Sequence, residues 1–326
     1  MKGNPLMSKW KNFEPQGVIP ACLLPFKSDL SIDEAAFRKH LKDVVAVNGL
    51  SAITINAHST EVASCSFDEQ ARVLDITMAE IGAAIPIVHG VYADGSLEAA
   101  RIARMAERGG ASCLLAFPPG PLALGALAKP EMAIAHFKAI ADASSLPIIC
   151  FQYPLASGLG YSVDTLLKLV AEVPSIKAIK DWCNSVMQHE RQIRILQNLP
   201  RRVNVLTTHS SWLLSSLVLG CNGLLSGSGS VIADLQVALW QAVQQNDLAR
   251  ARALNDRIFP IAHAFYADPF VDMHNRMKEA LVILGRIPCA AVRPPLVKLR
   301  EAEIRRIEQA LEQAGVRGQG AMERAA

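Results

Sequence analysis

The sequence predicts a (βα)8 TIM barrel with a C-terminal helical extension. Three observations predict it. Eight short apolar runs of strand length recur between residues 18 and 226. Segments with helical spacing separate most of them. After residue 247 only helical signals remain. Eight such units of about 30 residues suit parallel strands joined by helical crossovers, and together they match the size of a closed barrel. An open doubly wound sheet shares the alternation. It would favour a Gly-x-Gly-x-x-Gly turn after the first strand, and Ile19-Pro20-Ala21-Cys22 offers none.

The predicted strands are Val18–Leu24, Ser51–Asn56, Ile85–Val91, Ser112–Phe117, Pro147–Tyr153, Ile176–Lys180, Asn204–Thr207 and Gly223–Ser226. Each is bounded by Gly, Pro, Asn or Ser, the residues that break regular structure. Among the intervening helices, Asp33–Val47 carries Phe37, Leu41, Val44 and Val45 on one stripe. Asp68–Ile81 and Ser96–Glu107 repeat the pattern, each opening on a polar residue suited to a cap. Val231–Gln245 reads as the eighth barrel helix. Leu248–Ile258, His274–Leu284 and Pro295–Ala314 follow, punctuated by Pro260, Pro269, Pro288 and Pro294. The expected division is a barrel over 14–247, a helical domain over 248–316, and flexible tails at 1–13 and 317–326.

Of the 326 residues 51% are hydrophobic, enough for a sizeable core and too many for a disordered chain. The net charge of +3 is small and scattered, so neither a nucleic-acid surface nor a membrane anchor is expected. No apolar stretch is long enough to span a bilayer, and Met1–Phe13 lacks the apolar core of a signal peptide. The seven cysteines are widely spaced with no Cys-x-x-Cys pair. That argues against a disulfide framework or structural zinc, and for a reducing cytoplasm. Cys113 and Cys150 read as packing residues.

Barrel chemistry sits at the C-terminal ends of the strands. Lys180 ends the sixth strand and shares a face with Ala178, while Ile179 takes the helix-packed face. Lys180 is therefore expected inside the barrel near its mouth. Desolvation there lowers an amine's pKa, and the free amine can attack a carbonyl to form a Schiff base. A solvated lysine at a strand end is the competing reading. Ser226-Gly227-Ser228-Gly229-Ser230 precedes a helix and offers amides to an anion, as do Ser59 and Thr60 after the second strand. Either segment could equally be an ordinary turn of small residues. His58, His89 and His209 are all expected at the mouth, as acid–base groups or as metal ligands. No convincing carboxylate partner for these three histidines is read at adjacent strand ends, which argues against a metal site.

These residues carry a family resemblance. Gly17–Phe26 resembles the first strand of the dihydrodipicolinate synthase / N-acetylneuraminate lyase family. Ala57-His58-Ser59-Thr60-Glu61 sits at the family's strand-two turn, and Ile179-Lys180-Asp181 resembles its Schiff-base strand. Gly220–Gly229 is similar to its eighth strand, and Lys278–Gly285 through Leu296 to its C-terminal helices. The similarity runs from about Gly17 to Gly315. It implies class I, lysine-dependent lyase chemistry on a 2-oxo acid such as pyruvate, no metal or organic cofactor, and a homo-oligomer, tetramer or dimer. It assigns the imine to Lys180, and the acid's carboxylate to Ser59 and its neighbouring amides.

The departures are informative. The family's proton-shuttling tyrosine on strand five aligns with Phe151, and a phenyl ring exchanges no proton. Tyr153 lies two residues on, on the same strand face, and is the candidate substitute. Pro119 and Ala156 stand where synthases have a second tyrosine and an arginine for the semialdehyde carboxylate, and His58 replaces a hydroxyl. The expected enzyme is therefore an aldolase or dehydratase rather than a true dihydrodipicolinate synthase. Its catalytic set is Lys180, Tyr153 and His58, and its substrate set Ser59, Thr60, Phe151, His89, His209, Gly227 and Ser228. Phe117, Pro118, Pro119, Phe151 and Trp182 suit a less polar substrate than a sialic acid. Two other readings fit the same residues: a 2-oxo acid sensor without turnover, and a metal-assisted lyase or hydrolase using His58, His89 and His209.

Overall fold

The computed structural model describes residues 9, 10 and 12–318. The tails expected at 1–13 and 317–326 lie largely outside the described residues. In chain order the elements are β1 Gly17–Pro20, α1 Glu34–Val45, β2 Ile53–Ile55, α2 Phe67–Ile81, β3 Ile87–Val91, α3 Ser96–Arg108, β4 Cys113–Ala116, α4 Glu131–Ala143, β5 Ile148–Gln152 and α5 Val163–Glu172. There follow β6 Ile176–Asp181, α6 Val186–Leu196, β7 Asn204–Thr207, α7 Leu213–Val218, β8 Gly223–Ser226, α8 Gly229–Gln244, α9 Leu248–Phe265, α10 Met273–Ile283 and α11 Glu301–Gln313.

The strands pair in parallel in the order β1-β8-β7-β6-β5-β4-β3-β2. Bridges from Val18 to Leu50 and from Ala21 to Thr54 join the two ends. There the Ser51 and Cys22 amides donate to the Val18 and Thr54 carbonyls, both at 2.9 Å. The sheet closes on itself, so the expected TIM barrel with C-terminal helices is the fold observed. Gly17 and Gly223 make β1–β8 pairing possible at its lower end. A Cβ on Gly223 would stand 2.3 Å from the Gly17 carbonyl oxygen.

Side-chain alternation splits the core into two layers. Ile19, Ala52, Val88, Leu115, Ile149, Ala178, Leu206 and Leu225 fill the barrel. Ile53, Ile87, Leu114, Ile148, Ile179, Val205 and Leu224 face the helices. Both faces are apolar because helices cover the outside, as parallel sheets require. A register shift between Ile148 and Ile149 takes up one residue of β6. Ala178 and Lys180 then share the inner face.

Side-chain caps start several of the helices, with two differences from the sequence pattern. Asp33 accepts from the Ala36 amide as predicted. The second helix is capped by Ser66 in a box with Glu69, not by Asp68. Ser96 lies inside its helix behind Gly95, and its hydroxyl bonds His136 Nδ1 at 3.0 Å instead. β1 is shorter than the predicted Val18–Leu24, and beyond Pro20 the pairing continues only as an isolated bridge from Ala21 to Thr54. The helices after residue 247 pack on α8 and return α10 to the barrel mouth. Arg276, almost fully buried, ties α10 to the end of α9 through the Phe265 and Ala267 carbonyls. No helix among the described residues is long and apolar enough to cross a membrane, and all seven thiols are free.

Candidate active site

The register places Lys180 beside Phe151 on β5 and Leu206 on β7. Its ammonium lies 4.1 Å from the centre of the Phe151 ring. No carboxylate pairs with it among the described residues. The side chain is 6% exposed, and this burial lowers its pKa from 10.5 to about 7. At neutral pH a large share of Lys180 is therefore the free amine, where a solvated lysine would have almost none.

The amine opens into a pocket at the C-terminal end of the barrel. The space between its walls, counting the open solvent at the mouth, is about 450 Å3. From the barrel come Ala21, Ala57, His58, Ser59, Phe151, Trp182, Thr208 and Gly227; from the C-terminal segment come Tyr266, Phe270, Met273 and His274. Ser59 sits in a single 3-10 turn, His58–Thr60, after β2. Its hydroxyl is buried and has no hydrogen-bond partner in the protein. An unmet buried hydroxyl costs about 1–3 kcal/mol, which a ligand oxygen would recover.

His58 also lines the pocket, packed against the rings of Phe117, Phe151 and Tyr92. Its Nε2 is 3.0 Å from the Tyr153 hydroxyl. Burial, helped by the Lys180 charge, pushes the His58 pKa down to about 3, so the imidazole is neutral. Burial and the neighbouring Tyr92 push the Tyr153 phenol well above its usual value. The pair is thus a neutral imidazole and an intact phenol sharing one hydrogen bond. His58 forms the pocket wall and Tyr153 stands behind it, so Tyr153 does not line the cavity as expected.

Several predicted site residues lie elsewhere. Val88 points into the barrel, so its neighbour His89 points out, toward α2. There His89 Nε2 lies 2.8 Å from the Asn56 amide, which also donates to the Gln70 carbonyl. Burial lowers its pKa to about 4. His209 also sits behind the barrel wall. Its Nε2 accepts from the Asn184 amide at 3.2 Å, its Nδ1 is 3.1 Å from Thr207 Oγ1, and its ring stacks on Trp212. Thr60 spends its hydroxyl on the Ala57 carbonyl at 2.8 Å. Ser228 is engaged with Ser226 and Gln236, each at 2.9 Å. Of the glycine turn only Gly227 reaches the pocket.

The three histidines considered together for metal binding therefore do not converge. A different trio does: ligand atoms of Asp181, His189 and His209 lie within 4.8 Å of one another. Their lone pairs and protons are already used. Asp181 accepts from His189 Nδ1 at 2.6 Å and from the Cys183 amide at 2.9 Å, and His189 Nε2 is 2.7 Å from Ser216 Oγ. Burial opposes a charge on His189, but the Asp181 hydrogen bond and charge prevail and raise its pKa to about 9. The cluster is a buried, satisfied ion pair that fixes the outer side of β6 behind Lys180.

The sequence pattern missed the contribution of the C-terminal segment. Tyr266, Phe270, Met273 and His274 lie where α9 ends and α10 begins. Phe270 stacks on Trp182 with centroids 5.0 Å apart, and Trp182 in turn meets Tyr153 edge-on. The signal available was a cluster of aromatic and histidine residues in a proline-flanked connection between helices.

Comparisons agree with this geometry. The model of the dihydrodipicolinate synthetase family matches residues 14–314. A 4-hydroxy-tetrahydrodipicolinate synthase of Neisseria gonorrhoeae is 29% identical over 303 residues, covering 92% of this chain and 99% of that protein. One from Dechloromonas aromatica is 29% identical over 92% of this chain and 98% of its own length. A chloride-inhibited dihydrodipicolinate synthase from Acinetobacter baumannii, solved with pyruvate, superposes with a TM-score of 0.81 at 25% identity, covering 92% of this chain and 99% of that one. A monomeric dihydrodipicolinate synthase variant shares the fold, with a TM-score of 0.84 at 20% identity over 96% of this chain and 99% of that one. The barrel, the lysine at its sixth strand and a match running through the C-terminal helices lead to one conclusion: the chain belongs to the dihydrodipicolinate synthetase family.

Proposed function

We propose that this protein is a class I lyase, an aldolase or dehydratase, acting on a 2-oxo acid through an imine on Lys180. The observation that carries the reading is the desolvated amine of Lys180, unpaired and facing a pocket that holds an unmet buried hydroxyl. The free amine attacks the C2 carbonyl and water leaves, giving a protonated imine. The acid's carboxylate lies against Ser59 and the amides of its turn. The imine then accepts the electron pair released at C3, as a proton or as a carbon–carbon bond breaks. His58 exchanges the C3 proton, and the Tyr153 hydroxyl fixes its tautomer and relays the proton. This pair replaces the tyrosine missing at Phe151. We do not assign the semialdehyde reaction of the named relatives, because Pro119 and Ala156 supply neither a phenol nor a guanidinium. The family resemblance further supports a homo-oligomer, tetramer or dimer, and the free, widely spaced cysteines support a reducing cytoplasm.

Borohydride reduction in the presence of pyruvate tests the imine: a mass adduct is expected on Lys180. The labelling rate is expected to rise with pH through about 7 and level off above it, because only the unprotonated amine attacks. A rate that still climbs at pH 10 would mean a solvated lysine and would remove the proposal. Exchange of the pyruvate methyl protons in deuterium oxide, followed by NMR, tests the proton relay. Tyr153→Phe is expected to slow exchange about ten- to hundred-fold while labelling continues. Wild-type labelling without any exchange would favour the sensor reading instead.

A further inference from the structure

The reading of Lys180 as an imine-forming lysine leaves one of the two pocket imidazoles without a task. His274 stands in the first turn of α10, half-buried, and its ring lines the cavity opposite the barrel. Its Nε2 reaches the glycine turn after β8. A Cβ on Gly227 would lie 2.8 Å from that nitrogen, so the absence of a side chain at 227 leaves room for the imidazole. Among the described residues the ring makes no hydrogen bond. His58, by contrast, is already engaged with Tyr153.

The surroundings of His274 limit what it can meet. The charged and titratable groups that act on it are His58, Lys180 and Lys278, with no carboxylate among them. Burial first, and then these neighbouring groups, hold it well below its usual pKa, so it presents a neutral ring with one N–H and one lone pair. Around it lie Trp182, Tyr266, Phe270 and Met273. Lys180 is the one Lys or Arg in the pocket wall, and the charge of its protonated imine is matched by the carboxylate of the 2-oxo acid itself. A second carboxylate would find no further counter-charge in the pocket wall and would pay its desolvation.

Resting on the imine assignment, we propose that His274 is a specificity-determining residue. It hydrogen-bonds the C4 oxygen of a 4-hydroxy-2-oxo acid whose remaining part is uncharged and apolar, an aryl or branched alkyl aldehyde in its bound form. The C-terminal helices thereby complete the site: the barrel binds the 2-oxo acid head, and α10 reads the oxygen beyond it. No bond is made or broken at His274 in this assignment.

The test measures half-saturating concentrations for borohydride labelling of Lys180, which needs no turnover. Three probes are compared: 4-hydroxy-2-oxo-4-phenylbutanoate, 2-oxo-4-phenylbutanoate lacking the hydroxyl, and the dicarboxylate 4-hydroxy-2-oxoglutarate. The wild type is expected to prefer the hydroxylated phenyl compound over the deoxy one by about five-fold, the value of one neutral hydrogen bond. It should also prefer it over the dicarboxylate. In His274→Phe the ratio between the two phenyl compounds should fall to about one, and His274→Asn should restore part of it. Gly227→Ala, which displaces the ring without deleting it, should reduce the ratio as well. An unchanged ratio in His274→Phe, no preference in the wild type, or a preference for the dicarboxylate would each overturn the inference while leaving the imine in place. Absence of any pyruvate label on wild-type Lys180 would instead remove the imine assignment, and this inference with it. Pyruvate labelling of each variant reports that its barrel is folded.

Discussion

Lys180→Met is expected to abolish the pyruvate adduct and to make the protein more stable. Both follow from one fact, the transfer of an amine into a site where burial alone sets its pKa. In the unfolded chain the amine titrates at 10.5, and in the fold at about 7. Between these values the unfolded state binds more protons, so this group makes stability rise with pH across that window. Below about 7 the penalty is complete, and above 10.5 it vanishes. At neutral pH the penalty is on the order of a few kcal/mol. A methionine of similar length fills the space without it, so the melting temperature should rise by about 5 °C or more at pH 7. The difference should shrink as the pH approaches 10. Methyl-proton exchange should fall to the rate without enzyme, at least about a thousand-fold. A variant that melts at or below the wild type at pH 7 would show that the amine is hydrated or paired, and the reason for its reactivity would be gone.

The sequence made Lys180 legible because the alternation Ala178-Ile179-Lys180 has a polar end and a small inner neighbour. The same rule was silent for His89. Ile87-Val88-His89-Gly90-Val91 is apolar on both faces, as any strand covered by helices must be, so nothing local says which face is inner. Position at a strand end does not fix orientation toward the mouth, and His89 faces Asn56 and α2. His209 lies two residues beyond its strand, where the loop, not the pleat, sets direction. Ser228 and Thr60 were found in the right turns, but their hydroxyls close the turns themselves. The pairing of Tyr153 with His58 joined two residues singled out separately, across a hydrogen bond no spacing rule contains. His274 was out of reach for a different reason. Helical periodicity identifies α10 as a helix, yet which of its turns meets the barrel mouth depends on the path of α9, decided by long-range packing.

That packing depends on a second buried lysine, and here the largest loss of stability is expected. Lys278, on α10, is completely buried and paired with Glu61, 5% exposed, in the turn that also carries His58 and Ser59. Glu61 adopts the left-handed backbone conformation, φ 51°, which turns its carboxylate toward the C-terminal segment. Besides Lys278 it accepts the Arg293 amide at 2.9 Å, while Lys278 also donates to the Ala291 carbonyl at 2.9 Å and lies over the Phe26 ring. Burial drives the Lys278 pKa down and Glu61 opposes it, so removing the carboxylate leaves an ammonium with no counter-charge in the interior. Glu61→Ala is expected to cost about 3–5 kcal/mol in urea unfolding. Lys278→Met should be damaging in turn, by stranding the carboxylate. The double variant Glu61→Ala with Lys278→Met should recover much of the loss, because it removes both charges together; the cycle should give a coupling of at least about 2 kcal/mol. The same double variant separates stability from function. It keeps an apolar contact between α10 and the barrel but loosens the turn, so the Ser59 hydroxyl and His274 should shift relative to Lys180, and pyruvate should half-saturate labelling at several-fold higher concentration. Additive losses in the cycle would mean that the two side chains act independently, and that the C-terminal helices are held to the active-site turn by apolar packing alone.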